Sequence, residues 1–427
     1  MEISLCTIGL LASIWISYRR KLNIGVLAAA FAYGIGCFYM RLSVVDLTGM
    51  ISVNTLFSII GITFFYGIAI ENGTMERLTG QILYRMRNRV PLMPLVLFAM
   101  AFLISGAGLG AGPTVALTGP LAMKISAMGG ISLLIAILAI SVGASCGSNL
   151  PWSQGGVVIE NILKSLEGGN AGACMNTAIL HTLAANLIAL LLVILILGRN
   201  TSRTLDLQES RPFNAVQIKT LGLMAVVVFL MVVPKIAAGW LKYGWLIRAA
   251  GYCDVGFVSL LGATAASAAN LADQKAVIQK RIPWNVIMMI GGISIMTGVL
   301  KAAGAVEALA CFITDTIPHF LIPAALCLGA AVMSLFSGAT TVVVPTLFTV
   351  VPGIAAGFPN ETGLFYAAVL LGACMGGICP FSNGGSMLLG ACEEPGARDR
   401  LAYHMLVLLG FTIAVSVLYM LIIQFFY

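Results

Sequence analysis

The chain has 427 residues, of which 59% are hydrophobic and only 9% are charged, against roughly 45–50% and 25% in soluble domains. A mean hydropathy of +1.01 leaves no room for a sizeable water-soluble domain. These values exclude a soluble enzyme, a disordered chain and a disulfide-rich scaffold, and they predict an all-α polytopic membrane protein. The net charge of +7 comes from scattered basic residues, which excludes a nucleic-acid-binding face.

Apolar runs of about 20 residues, the length that crosses a bilayer as a helix, recur along the chain. Four longer stretches are interrupted by Gly, Pro, Ser or Asn near their middles, which predicts either a broken helix that still crosses or a re-entrant hairpin. In chain order the predicted elements are spans at 3–18, 22–40 and 51–71, an inner hairpin at 90–127, a broken helix at 131–167, spans at 176–198, 218–234, 251–272 and 284–300, an outer hairpin at 319–355, a broken helix at 362–392 and a span at 402–425.

The distribution of basic residues supports ten spans and two hairpins, with the N- and C-termini both outside. In this arrangement the cytoplasmic side receives most of the 23 lysines and arginines. Only six fall outside: Arg41, Lys164, Lys235, Lys242, Arg248 and Lys301.

The sequence contains an internal repeat. Residues 143–156 (GASCGSNLPWSQGG) and 372–385 (GACMGGICPFSNGG) are identical at seven of fourteen positions without a gap. A second set recurs in the same order at nearly the same offset: Asn54, Gly61, Gly67, Gly73 and Glu76 match Asn285, Gly292, Gly298, Gly304 and Glu307.

The repeat predicts the domain organisation. A first repeat (1–200) and a second (218–427) are joined by a polar, basic cytoplasmic linker at 201–217, and each holds five spans and one hairpin. An odd number of spans places the second copy upside down in the membrane. Such inverted repeats are typical of secondary transporters, whose substrate site lies near the midplane between the repeats.

The interrupted helices predict anion-binding sites. Pro151 cannot donate a backbone hydrogen bond, and the half-helix that follows begins with unpaired amides that carry a positive partial charge. A carboxylate suits that position, and two facing pockets suit a small dicarboxylate anion. The predicted substrate-binding residues are Ser153, Gln154, Gly155 and Gly156 in the first copy, Ser382, Asn383, Gly384 and Gly385 in the second, and Thr114, Thr340 and Thr341 at the hairpin tips.

Oxygen atoms near the breaks also predict a cation site. Backbone carbonyls freed before each break, with amide and hydroxyl oxygens nearby, could coordinate Na⁺, although no acidic residue is placed to neutralise it. Alternatively, the hydroxyls only satisfy loose backbone groups. The candidate residues are Ser105, Asn149, Ser337, Gly147 and Gly376. Coupling to Na⁺ or H⁺ is expected, and no other metal or cofactor.

Three polar residues allow other interpretations. Ser145 lies in a GxSxG motif, so an intramembrane serine hydrolase with His181 or His404 as base is an alternative, but the second copy replaces this serine by Cys374. His181 is expected to form an interhelical hydrogen bond rather than a proton relay. Glu160 is expected to be an interfacial or cavity-facing acid, with ion coupling as the alternative.

The order of a Gly/Ser/Thr-rich hairpin (SGAGLGAGPTVALTGPLAMKI, 105–125) and a broken helix, both repeated, is similar to the ion transporter superfamily of divalent anion/sodium symporters, citrate carriers and arsenite exporters. More closely, 51–167, with NTLFSIIGITFFYGIAIENGT, resembles the N-terminal region of the malonate-carrier (MatC-type) dicarboxylate permeases. The Ser-Asn-Thr found at the hairpin tips of the symporters is absent here.

The resemblance implies a multi-pass homodimer in the bacterial inner membrane that moves malonate or a C4-dicarboxylate. It also implies an elevator-like movement of the hairpins and broken helices against the other spans. A proton-coupled exporter of an anion or metalloid, with the same fold, is the alternative.

Overall fold

The computed structural model of the protein describes residues 2–20, 22–51, 53–86, 88–128, 131–198, 212–241, 243–335, 338–380, 382–390 and 395–427. Every regular element in these residues is helical, and they contain no strand. The prediction of an all-α polytopic membrane protein is therefore confirmed.

Several helices are capped at their N-termini by polar side chains. For example, the Asn23 side chain accepts the Gly25 N–H at 2.9 Å and caps the second helix. The first half forms α1 (Glu2–Arg20), α2 (Ile24–Tyr33), α3 (Val44–Gly49), α4 (Val53–Glu71), α5 (Thr74–Met86), α6 (Met93–Ile104), α7 (Ala111–Ala127), α8 (Leu133–Ser148), α9 (Gln154–Glu167) and α10 (Ala171–Leu197). The second half forms α11 (Ala215–Leu241), α12 (Gly244–Tyr252), α13 (Val255–Ala268), α14 (Gln274–Lys280), α15 (Trp284–Ala302), α16 (Ala305–Thr316), α17 (Ile322–Ser334), α18 (Val344–Leu347), α19 (Val351–Ala355), α20 (Thr362–Met375), α21 (Asn383–Gly390) and α22 (Pro395–Gln424). Short π-helical turns (Gly34–Tyr39, Ser105–Leu109, Ala339–Val343) and 3₁₀ turns (Val90–Leu92, Gly168–Asn170, His319–Leu321, Pro359–Glu361, Gly376–Ile378) complete the described helices.

The four interrupted stretches each divide into separate helices. The stretch 131–167 forms α8 and α9, and 362–392 contains α20 and α21. The stretch 90–127 forms α6 and α7 around a π-helical turn, and 319–355 forms α17, a second π-helical turn, α18 and α19. Their course through a bilayer, as broken spans or re-entrant hairpins, stays a prediction.

Seven helical segments of the described chain are long and apolar enough to cross a membrane. The number is eight if Glu307–Thr316 and His319–Ser334, which meet at 117°, count as one span. Shorter apolar helices of 10–17 residues, such as Leu133–Ser148, accompany them. Ten spans with two hairpins, the inverted orientation of the repeats, and the boundaries 1–200 and 218–427 stay predictions. Most of the expected linker, 201–211, lies outside the described residues.

Among the helices that lie where the sequence analysis placed only connecting segments, α5 and α16 occupy matching positions of the repeat. Helix α5 follows α4, and α16 follows α15 at the matching position of the second half. Both mix polar and apolar residues, as helices with one polar face do. Each therefore precedes one of the interrupted stretches that were predicted as hairpins.

The chain folds into two units, and each takes segments from both halves of the sequence. The first unit comprises Met1–Leu56, Val158–Leu192 and Trp284–Tyr427. The second unit comprises Phe57–Val157 and Val193–Pro283.

Glycine contacts explain why each unit draws on both halves. In the first unit α2 crosses α15 so closely that a side chain at Gly292 would collide with the backbone of Gly25. In the second unit α4 crosses α13 in the same way, and a side chain at Gly61 would collide with the carbonyl of Gly256. Gly61 and Gly292 are matched positions of the repeat. Each half of the chain thus supplies the partner helix for a span of the other half.

The repeat also extends to local packing. On α8, a side chain at Gly143 would collide with the Phe98 carbonyl of α6. On α20, a side chain at Gly372 would collide with the Cys327 carbonyl of α17. Both pairs are separated by the same offset in sequence, so the sequence repeat is accompanied by a repeat of helix contacts.

Candidate functional site

The break between α8 and α9 is a tight turn in the second unit. The Leu150 N–H donates to the Gly147 carbonyl at 3.2 Å, and the Ser153 N–H donates to the Leu150 carbonyl at 2.8 Å. The same Leu150 carbonyl lies against the Cα of Gly156, where any side chain would collide with it. The turn therefore requires glycine at 156, and it leaves the first amides of α9 without intrahelical partners.

The tip between α6 and α7 depends on two glycines in the left-handed region. Gly108 has φ 120° and Gly110 has φ 79°, which side chains disfavour. A side chain at Gly108 would collide with the ring of Tyr66, and one at Gly110 would collide with Oε1 of Gln154. The tip thus lies between the middle of α4 and the first residue of α9.

Hydrogen bonds join this tip to the broken helix. Ser105 Oγ donates to the Ala144 carbonyl at 2.6 Å, and Ser153 Oγ donates to the Ser105 carbonyl at 2.7 Å. Both serines are fully buried. The hydroxyl protons of these two predicted ligands are therefore engaged by backbone carbonyls, while their oxygens retain lone pairs that can accept or coordinate.

The structure brings the other first-copy candidates to the same place. Thr114 is fully buried one turn into α7 and donates to the Gly110 carbonyl at 2.8 Å. Asn149 is 2% exposed in the turn. Gln154 is half-buried with its amide against Gly110, and Gly155 and Gly156 are buried in the first turn of α9.

Tyr66 is a residue that the sequence analysis missed. Its side chain is 1% exposed, its ring lies over Gly108, and its hydroxyl has no hydrogen-bond partner among the described residues. A buried hydroxyl is normally hydrogen-bonded, so this hydroxyl, on a ring that packs against the tip, is unusual. The only available signal was a tyrosine, whose tip is polar, inside the predicted span 51–71.

The second break, in the first unit, repeats the first. The Ser382 N–H donates to the Cys379 carbonyl at 2.9 Å, and a side chain at Gly385 would collide with that carbonyl. Ser382 Oγ accepts the Gly385 N–H at 3.1 Å and donates to Cys379 at 2.8 Å, so it caps α21. Asn383 is the first residue of α21, its side chain lies outside the described part of the chain, and Gly384 follows it.

The second tip also holds an unpaired hydroxyl. Thr341 is 8% exposed in the π-helical turn, and its Oγ1 has no hydrogen-bond partner among the described residues. Thr340 beside it is half-buried, and Ser337 lies outside the described residues. Gly376, just before the break, lies against the backbone and hydroxyl of Ser334 at the end of α17.

None of the candidate residues carries a charged side chain, so attraction for an anion would come from amides and hydroxyls. No group of three His, Cys, Asp or Glu residues able to hold a metal occurs in the described residues. The Gly147 carbonyl accepts the Leu150 N–H and the Gly376 carbonyl accepts the Cys379 N–H. Each of these oxygens keeps a second lone pair for a cation.

The residues of the hydrolase alternative are placed differently. Ser145 lies inside α8 rather than on a strand-to-helix turn, and the described chain has no strand. His181 is hydrogen-bonded to the hydroxyls of Tyr419 (2.9 Å) and Tyr427 (3.1 Å), which confirms the expected interhelical bond. Glu160 forms an ion pair with Lys164 at 2.7 Å.

Comparisons with known proteins support a transporter. The fold is similar to that of MtrF of Neisseria gonorrhoeae, whose structure is described as illuminating a class of antimetabolite efflux pumps. The two share 13% sequence identity, with a TM-score of 0.51 over 91% of this chain and 84% of that one. No curated protein sequence matches the chain significantly. Residues 1–148 match the sequence model of the N-terminus of the dicarboxylate carrier protein MatC, which confirms the resemblance inferred from the sequence.

Proposed function

We propose that the protein is a secondary active transporter of a small dicarboxylate, either malonate or a C4-dicarboxylate. One observation carries the proposal. In each unit a helix break lies beside a tip where a buried hydroxyl has no hydrogen-bond partner among the described residues. In one unit this is Tyr66 of α4, whose ring packs against Gly108 of the tip, and in the other it is Thr341 of the tip itself. The match of the N-terminal region to a dicarboxylate carrier supports the choice of substrate class.

The chemistry of both sites suits a carboxylate. Amide N–H groups at the start of a helix attract anions, and hydroxyls without partners can donate to a carboxylate oxygen. In our proposal the first amides of α9, with Ser153 and Gln154, bind one carboxylate. The first amides of α21, with Ser382 and Asn383, bind another, and the threonines at the tips contribute hydroxyls.

Transport is coupled to Na⁺ or H⁺ in this proposal. In the second unit, Ser105, Asn149 and the Gly147 carbonyl would offer uncharged oxygens to Na⁺, and in the first unit Ser337 and the Gly376 carbonyl would do so. We further propose a homodimer in the bacterial inner membrane, with both termini outside and elevator-like alternating access.

A second candidate is a proton-coupled exporter of an anion or metalloid. The observation that favours it is the fold similarity to MtrF, which is described within a class of efflux pumps. Import and export use the same kind of site, so direction and coupling ion separate the two candidates.

The test is uptake of labelled malonate, succinate and fumarate into proteoliposomes, with Na⁺ and pH gradients imposed separately. We expect uptake by the wild type, and its loss in Gln154→Ala and in Asn383→Ala. Asn176→Ala, an exposed asparagine of α10, is the matched control and should transport normally. Normal uptake in both site variants would refute the site, and no uptake of any dicarboxylate under either gradient would refute the substrate class.

A further inference from the structure

The first unit contains an apolar cavity of about 430 Å³ that the proposed transport function does not use. Residues of α1, α15, α16, α17 and α18 line it. Ile3, Leu11 and Leu309 belong to this lining and are 36%, 59% and 40% exposed. The cavity therefore reaches the outer surface of the chain.

A smaller cavity of about 200 Å³ adjoins the first and has a different chemistry. The two share Thr297 and Thr349 as lining residues. The smaller one adds the polar residues Ser165 and Ser294 and the cationic residue Lys301 to its lining. No acidic residue lines either cavity in the described chain.

The two cavities meet at consecutive residues of α15. Leu300 lines the apolar cavity and Lys301 lines the polar one. A lysine near the end of a membrane helix extends its ammonium towards the headgroup region while its aliphatic stem stays in apolar surroundings. The pair of cavities is thus an amphipathic site, with an apolar slot beside a cationic, hydroxyl-lined mouth.

We propose that this site binds an anionic phospholipid of the bilayer, with an acyl chain in the apolar cavity and the phosphate at Lys301. Apolar cavities accept apolar ligands, so an acyl chain is the suitable occupant of an apolar cavity that opens to lipid. Basic pockets between membrane helices suit anionic headgroups. A small free anion would leave the apolar cavity unfilled, and a zwitterionic lipid would lack the net charge that complements Lys301.

The experiment measures lipid binding to the full-length protein in detergent, by native mass spectrometry and by thermal unfolding. Phosphatidylglycerol and phosphatidylcholine with identical acyl chains are compared, and glycerol phosphate serves as the headgroup without chains. We expect phosphatidylglycerol to bind more tightly and to raise the unfolding temperature more. Lys301→Gln should weaken phosphatidylglycerol binding about fivefold, the factor equivalent to about 1 kcal/mol per basic residue near anionic lipid, without changing phosphatidylcholine binding.

Two further variants complete the test. Ala308→Leu narrows the apolar cavity and should weaken the binding of both lipids, whereas Lys275→Gln, an exposed lysine of α14, should change neither. Equal binding of the two lipids by the wild type, or an unchanged preference in Lys301→Gln, would overturn the proposal. Stabilisation by glycerol phosphate to the same extent as by phosphatidylglycerol would overturn it in favour of a free-anion site.

Discussion

The hydroxyl of Tyr66 allows a test in which stability and binding should change in opposite directions. Tyr66→Phe removes one oxygen atom and keeps the ring that packs over Gly108. That oxygen is buried and has no hydrogen-bond partner in the described part of the chain, a situation that costs about 1–3 kcal/mol. We therefore expect the variant to unfold at the same temperature as the wild type or a higher one.

Substrate binding should respond in the other direction. If Tyr66 donates a hydrogen bond to a carboxylate, the variant loses an interaction with a charged group worth about 1.5–3 kcal/mol. That corresponds to binding weaker by about 10- to 150-fold. The loss should appear in the KM of dicarboxylate uptake and in the shift of unfolding temperature that the dicarboxylate produces in detergent.

Tyr366→Phe is the matched control, because Tyr366 is equally buried but its hydroxyl donates to Glu167 at 2.7 Å. Its removal should destabilise the protein by about 1.5–3 kcal/mol and leave the KM unchanged. An unchanged KM in Tyr66→Phe would refute the assignment of this hydroxyl to the substrate. A marked fall in its unfolding temperature would show instead that the hydroxyl is satisfied within the folded protein.

Three other substitutions test the geometry. Gly292→Ala should lower the free energy of unfolding by about 1–3 kcal/mol, because the added methyl group meets backbone atoms that cannot rotate away. In the control Gly291→Ala the nearest atom to the added methyl group is 3.7 Å away, so the free energy of unfolding should change by less than about 1 kcal/mol. Thermal unfolding measures both changes. Gly110→Ala should raise the KM for dicarboxylate uptake, because alanine is strained at φ 79° and its methyl group displaces the Gln154 amide. The control Gly112→Ala adds a methyl group where there is open space, and it should leave the KM unchanged. Thr341→Val should weaken dicarboxylate binding by about tenfold without lowering the unfolding temperature; equal binding would exclude this hydroxyl as a ligand.

The positions of the helix breaks could be predicted because their causes are local. Pro151 removes a donor, and the glycines around it permit backbone that other residues resist. The same signals recur near Gly385, so both interrupted stretches could be located from sequence alone. The positions of the long spans follow from apolar length, which is also a local property, but their ends do not: α11 continues to Leu241 and α22 begins at Pro395, beyond the predicted ends.

Properties that depend on distant contacts could not be predicted. The sequence suggests that Ser153 is free to bind substrate, but its proton goes to the Ser105 carbonyl, 48 positions away. The pairing of α2 with α15 joins segments from opposite halves of the chain, and no local pattern specifies it. Tyr66 could not be singled out for the same reason, since its lone hydroxyl is defined by what the folded chain places around it.

The exchange of partner helices between the two halves has a consequence for biosynthesis. The ribosome releases α2 and α4 long before it makes α15 and α13, whose glycines Gly292 and Gly256 those helices pack against. Until then the small-residue faces of both early helices are without their native neighbours, and the insertion machinery or lipid must cover them. A chain that stops at the polar linker would therefore lack the two helices that pack against Gly25 and Gly61.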